Sequence, residues 1–183
     1  MDRDVFIISI AQSRQTAQAI RQAMQEARVD PSHVQDVIFG LDGSGAIDAG
    51  KILTVSSLTC SAATVSSSLR AAFFAAQSAL SGDLEVLVVV GLDDQHSTTM
   101  LLASPDAVGR WNLMPRARLA ARSLKGIEST LRAAEIDRND VTVLKAGKCG
   151  AALIKETLEE LEGQSGRWGL VTVNESALLI ERI

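Results

Sequence analysis

Residues 51–82 run KILTVSSLTCSAATVSSSLRAAFFAAQSALSG, and they hold the sharpest change of pattern in the chain. Residues 52–58 gather Ile, Leu, Thr and Val in a short run, which predicts a strand. Beyond Cys60 the composition turns to Ala, Ser, Leu and Phe. Val65, Leu69, Ala72, Phe73, Ala76 and Leu80 recur at helical spacing, which predicts a helix closed by Ser81-Gly82. Its many Ala and Ser residues predict close packing on both sides, and hence burial. This reading puts the Cys60 thiol where a strand turns into a helix N-terminus. Unpaired N–H groups and the positive end of the helix dipole favour the thiolate there, which is the reactive form of cysteine. The same place also suits a small buried side chain that packs a strand against a helix, as most free cysteines do.

Upstream, residues 5–10 (VFIISI) form a β-branched run suited to a strand covered on both faces. Ala17, Ile20, Met24 and Ala27 then share one helical face, and Asp30-Pro31 ends that helix. Residues 34–39 predict a second strand. Residues 40–50, GLDGSGAIDAG, predict a loop. Glycine-rich backbone can cradle a phosphate, but the GxGxxG spacing and the Walker lysine-serine pair are both missing, so a plain connection is the reading.

Downstream, residues 84–92 are apolar throughout and predict a buried strand. The polar residues that close it, Asp93, Asp94 and His96 among them, stand at a strand end, where α/β sheets keep their chemistry. Residues 98–103 predict an antiparallel strand, and residues 104–116, with two prolines and Trp111, an irregular crossing. Leu124, Ile127, Leu131 and Ala134 mark the next helix, and residues 141–144 a strand. Residues 146–150 (AGKCG) predict a tight turn into a helix over 151–162. Residues 168–173 and 177–183 predict a hairpin that turns near Asn174-Glu175. This order repeats one α/β unit with its second copy shortened, dividing the chain into residues 1–104 and 105–183.

The totals exclude several function classes. With 183 residues, 46% hydrophobic and 22% charged, the chain can bury a sizeable core. A net charge of -4 with interspersed signs provides no basic face for nucleic acid and no cationic run for a membrane surface. The two cysteines, Cys60 and Cys149, with no secretory signal ahead of them, point to a reducing compartment, with the cytoplasm as the expected location. His33 and His96 are too few and too scattered for a zinc site, and no metal is expected.

Several segments, in order, resemble the thiolase superfamily of thiolases and ketoacyl synthases. Residues 34–40 (VQDVIFG) resemble the family's V-D-E-V-I-x-G, and residues 59–63 (TCSAA) the segment around its nucleophilic cysteine. Residues 81–91 (SGDLEVLVVVG) are similar to G-D-x-D-V-x-V-A-G-G, and residues 167–173 (RWGLVTV) with Glu181-Arg182 to the family's close, R-Y-G-L-A-T … E-R. The resemblance implies an α/β, compact thiolase-like layered fold of two βαβ-type halves with mixed sheets. It also implies transfer of acyl groups through an acyl-cysteine, with Cys60 as nucleophile, no tightly bound cofactor, and acyl-CoA or an acyl-carrier thioester as substrate. Family members pair through the strand before that cysteine, so a homodimer, or a heterodimer with a thiolase-fold relative, is expected.

The chain departs from the family where the chemistry is done. Lys148, in GKCG, stands where the family's activating histidine would be. The N-E-A-F segment and the C-x-G-G-G turn are missing, the latter reduced to residues 173–176 (VNES). Residues 111–121 are too short for the coenzyme-holding insertion. Lys148 is read either as a cation or base beside the thiol or as a solvent-facing turn lysine. Cys149 is either a partner thiol for Cys60 or a small residue in a tight turn. His96 is either catalytic or a surface or dimer-interface residue. Two functions therefore stand side by side: a thiolase-like acyltransferase working through Cys60, or a non-catalytic thiolase-fold subunit that pairs with a full-length relative.

Overall fold

The computed structural model describes residues 4–43 and 45–183. Their strands form one mixed nine-stranded sheet in the order β3-β2-β4-β5-β1-β6-β9-β8-β7. The first five positions are β3 (Ser61–Val65), β2 (Asp36–Leu41), β4 (Val86–Leu92), β5 (Ser97–Ala103) and β1 (Val5–Ser13). The remainder are β6 (Ala117–Ser123), β9 (Ser176–Arg182), β8 (Trp168–Val173) and β7 (Val141–Ala146). Two pairs involving β2 are parallel, with β3 and β4, as is β7 with β8, and the other neighbours are antiparallel. Only a short antiparallel contact, Val5↔Leu119 to Ile7↔Ala117, joins the two sets of strands.

The central core lies between those sets. Helices α3 (Ser68–Ser81) and α6 (Gly150–Glu160) bury Leu69, Ala72, Ala76, Ile154 and Leu158 in one cluster with inward residues of both. Ile38, Leu87, Val89 and Leu102 come from the first set, and Leu119, Val171, Leu178 and Ile180 from the second. On the first set's outer face, α1 (Thr16–Ala27), α2 (Ala49–Val55) and α4 (Pro105–Arg110) cover Val37, Phe39, Val88, Val90 and Leu101. Helix α5 (Ile127–Ala134) covers Leu170 and Leu179 on the second. The result is helix, sheet, helix, sheet, helix. Strands with covered faces on both sides need unbroken apolar runs, and β4 and β5 are buried almost throughout.

The first hundred residues differ from the sequence reading in one decisive place. Residues 52–58 are not a strand. Asp48 accepts the Lys51 N–H at 3.0 Å and caps α2, whose Ile52 and Leu53 pack on the outer core, so a cap and tertiary contacts override β-branched propensity. The strand follows Cys60 instead: β3 pairs with β2 from Asp36↔Ser61 to Gly40↔Val65, although its small residues have little strand preference. The inner helix begins at Ser68, capped by Ser67, eight residues after Cys60. Residues 117–123 are a strand that the sequence reading left unassigned, because its buried residues are small (Ala117, Leu119, Ala121) and alternate with arginine. Within the expected irregular crossing, Ser104 caps α4. Nor is α3 enclosed on every side: Arg70, Phe74 and Gln77 are exposed along one flank.

Glycine fixes the approach of α3 to the sheet. A Cβ at Gly40 would lie 2.2 Å from Ser68 Cα, and one at Gly91 would lie 2.5 Å from Ala151 Cβ and 2.7 Å from Ser68 Cβ. Gly40→Ala must therefore push helix backbone away from the sheet, and it is expected to cost about 3 kcal/mol or more in urea unfolding. Gly109→Ala, inside α4 with nothing within 4 Å of its Cβ, is expected to gain roughly 0.5–1 kcal/mol in the same assay.

Candidate functional site

Parallel strands β2 and β4 end side by side at Leu41 and Leu92, and the N-termini of α3 and α6 meet there. Asp42, the first residue past β2, accepts the Ser68 N–H at 2.8 Å on Oδ1 and the Ser68 hydroxyl on Oδ2. Ser68 Oγ in turn accepts the Ala151 N–H at 2.8 Å. One hydroxyl thus ties the first turns of both inner helices to one carboxylate, with Ser68 0% exposed. Burial raises the pKa of Asp42, and the charge of Asp93 adds to this, while the two bonds from Ser68 pull it back down.

Cys149 flanks the same junction as the residue before α6. Burial, the charges of Asp93 and Asp42, and a hydrogen bond to Asp93 push its thiol up to about 11. At neutral pH only about one molecule in ten thousand carries the thiolate, since each pH unit below the pKa lowers that form tenfold. Asp93 also accepts the Gln95 and His96 backbone N–H groups at 2.7 Å, closing the β4–β5 turn. That turn brings half-buried His96 to the same end of the sheet. Lys148 is exposed beside Cys149, in keeping with a solvent-facing turn.

Cys60 is elsewhere. It precedes Ser61, which pairs with Asp36 at the beginning of β2, whereas Cys149 lies past its end. Six residues of strand separate the two ends, about 20 Å. The two thiols are therefore not brought together, and Cys60 has no helix N-terminus beside it. Burial against the outer core and the charge of Asp36 raise its pKa. Neither cysteine sits in a field that favours a thiolate.

The open side of the α3 N-terminus faces a cavity of about 480 Å³ lined by Ser66, Ser67, Arg70, Asn174, Glu175 and Leu124, among others. Two turns, residues 66–68 and residues 173–176, thus meet across open space. They bring hydroxyl, amide and carboxylate groups and no thiol. Among the described residues, no three His, Cys, Asp or Glu side chains are arranged to hold a metal ion. No helix among them is long and apolar enough to cross a membrane.

No protein-family model matches this sequence, and no curated protein sequence does. Solved structures do match. The crystal structure of human mitochondrial 3-ketoacyl-CoA thiolase in complex with CoA superposes with a TM-score of 0.88 at 10% identity, over 99% of this chain and 98% of that one. A second crystal structure of human mitochondrial 3-ketoacyl-CoA thiolase gives 0.85 at 10% identity, over 99% of each chain. The fold is the thiolase fold.

Asp42 and Ser68 were not singled out from the sequence. Ser68 had a signal, a run of serines just before an apolar helical stripe, which is an N-cap signature. Asp42 lay unremarked in the glycine loop. Ser68→Ala is expected to cost about 1–3 kcal/mol by leaving the Ala151 N–H unpaired, and Asp42→Ala should cost much less in that background than alone. The pH dependence has a definite sign. Cys149 holds its proton more tightly folded than unfolded, so it adds stability that is complete below pH 9 and is lost as pH rises towards about 11. Cys149→Ser should flatten the stability profile in that window, as read by thermal melts.

Proposed function

We propose that this chain is a non-catalytic thiolase-fold subunit that assembles with a second thiolase-fold chain. One observation carries the proposal: at the junction of the inner helices, where first-turn N–H groups could stabilise a thiolate or an oxyanion, those of Ser68 and Ala151 are taken up by Asp42 and the Ser68 hydroxyl. Acyl-cysteine chemistry needs a thiolate and a base within reach. Cys149 is surrounded by carboxylates that oppose ionisation, and Cys60 stands at the far end of β2. The likeness to a 3-ketoacyl-CoA thiolase, once solved with CoA, supports an acyl thioester as the material handled by the assembly.

The partner surface in this proposal is β3. It is one of the sheet's two outermost strands, with β7 at the other edge, is exposed at four of its five positions, and carries no charged residue. An uncharged edge strand offers unpaired N–H and C=O groups to another strand, and natural edges that must stay single are protected by charge. The expected assembly is two chains paired along β3, whether two copies or one copy with a longer relative.

Incubation with acetyl-CoA at pH 7.5, followed by intact-mass measurement, is expected to show no covalent adduct. An acetyl adduct lost on Cys60→Ser or Cys149→Ser would overturn the non-catalytic reading. Ala62→Lys combined with Thr64→Lys should convert a dimer to monomer in analytical ultracentrifugation while leaving the melting temperature within a few degrees.

A further inference from the structure

Strand β6 contains an irregularity with a consequence for one arginine. Ala117 and Leu119 point into the central core, and the register with β9 then slips between Leu119 and Ala121. Past the bulge, Ala121 lies in the outer cluster under α5, and Arg122 sits opposite Leu178, a residue of the central core. Bulges re-aim side chains. In an unbroken strand the alternation would place Arg122 on the outer face with Arg118. Instead its guanidinium turns to α3 and donates to Gln77 Oε1 at 3.0 Å. Among the described residues that amide is its hydrogen-bond partner and no carboxylate pairs with it, whereas Arg118 is held by Asp4 and Glu181. Burial lowers the pKa of Arg122, a cost that an anion would remove.

The surface beside this cation is apolar. Phe74 is 55% exposed and Leu124 54% exposed, and with Phe73 they wall a trough of about 460 Å³ that Gln77 and Arg122 also line. On the other side of Arg122 a cavity of about 780 Å³ extends past Leu80 to Trp168. Among the described residues two carboxylates line that larger space, Glu135 and the Asp4 already engaged by Arg118, so an anion is best placed at the Phe74 side.

We propose that the trough between α3 and β6 binds a single-chain anionic amphiphile, with its carboxylate on Arg122 and its hydrocarbon chain along Phe73, Phe74 and Leu124. A guanidinium with a neutral partner has N–H donors left for bidentate carboxylate recognition. The exposed Phe and Leu gain by being covered, and the trough lies in the size range of small-molecule sites. This site is separate from the Asp42–Ser68 junction, and its test is independent of whether either cysteine can be acylated.

Trp168 lines the adjoining cavity, so its fluorescence in a Trp111→Phe background reports occupancy without the chain's other tryptophan. Decanoate, decanol and decyltrimethylammonium would be titrated below their micellar concentrations, with isothermal calorimetry for stoichiometry. One decanoate per chain is expected, bound at least tenfold more tightly than decanol, with the preference shrinking as salt is raised. Arg122→Met should abolish the preference and leave decanol binding unchanged, Arg122→Lys should retain part of it, and Phe74→Ser should weaken both ligands. Circular dichroism melts establish that each variant folds. Equal binding of decanoate and decanol, no binding of either, or an Arg122→Met protein that still prefers decanoate would overturn the proposal. So would self-association through this patch, seen as concentration-dependent sedimentation that Phe74→Ser abolishes.

Discussion

Two helices begin at one point in the centre of this fold, and the hydrogen-bond chain from Ala151 N–H to Ser68 Oγ to Asp42 is what allows it. Each helix N-terminus brings unpaired N–H groups and a partial positive charge. Bringing two such ends together in a dry layer would leave donors unsatisfied and like dipole ends opposed. A single carboxylate answers both problems, and the Ser68 hydroxyl extends its reach to the second helix. The glycines at 40 and 91 are the steric condition for the same contact, because a Cβ at either would strike Ser68 or Ala151. Stability and chemistry compete here for the same N–H groups. A helix N-terminus that stabilises an anion from a substrate must keep its donors free, and here the Ser68 and Ala151 N–H groups are held by side chains of the same chain.

The electrostatics around Cys149 follow from that choice. Once Asp42 occupies the junction, with Asp93 and Asp94 close by, the local field opposes any further negative charge, and burial adds to it. The helix dipole that the sequence reading assigned to a cysteine is real, but it acts on Asp42. A cysteine beside a helix N-terminus is therefore activated only when no carboxylate has arrived first.

The layered α/β class was legible because it rests on strong signals: the unbroken apolar runs of β1 and β4, the stripe of α1, and the final hairpin around Asn174. The strand-to-helix turn was misplaced through one slip in register. Residues 52–58 look like a strand by composition, and their helical state depends on Asp48 as a cap and on packing of Ile52 and Leu53, neither visible in β-branched content. With the strand placed too early, the strand-to-helix turn fell at Cys60 instead of at residues 66–68, and the motif match TCSAA reinforced the error. The true strand, SAATV, is held by β2 rather than by its own propensity. Asp42 and Ser68 were hidden for a related reason: they are 26 residues apart, and only the pairing of β2 with β3 and β4 brings them together.

The bulge in β6 shows the same logic from the opposite side. In ARLAARS, arginine alternates with small or apolar residues along β6, and Arg118 lies on the outer face, held between Asp4 and Glu181. One extra residue reverses the parity for Arg122 and turns it towards α3, beside the flank where Phe74 breaks the polar exterior. Folding alone favours the opposite arrangement, with the arginine facing water and the phenylalanine facing the core. A half-buried cation with no carboxylate beside it among the described residues and an exposed aromatic are each unfavourable in isolation, and each becomes favourable when a ligand with one charged and one apolar end spans both. The departure from the simplest packing is therefore located where binding, rather than the core, sets the requirement.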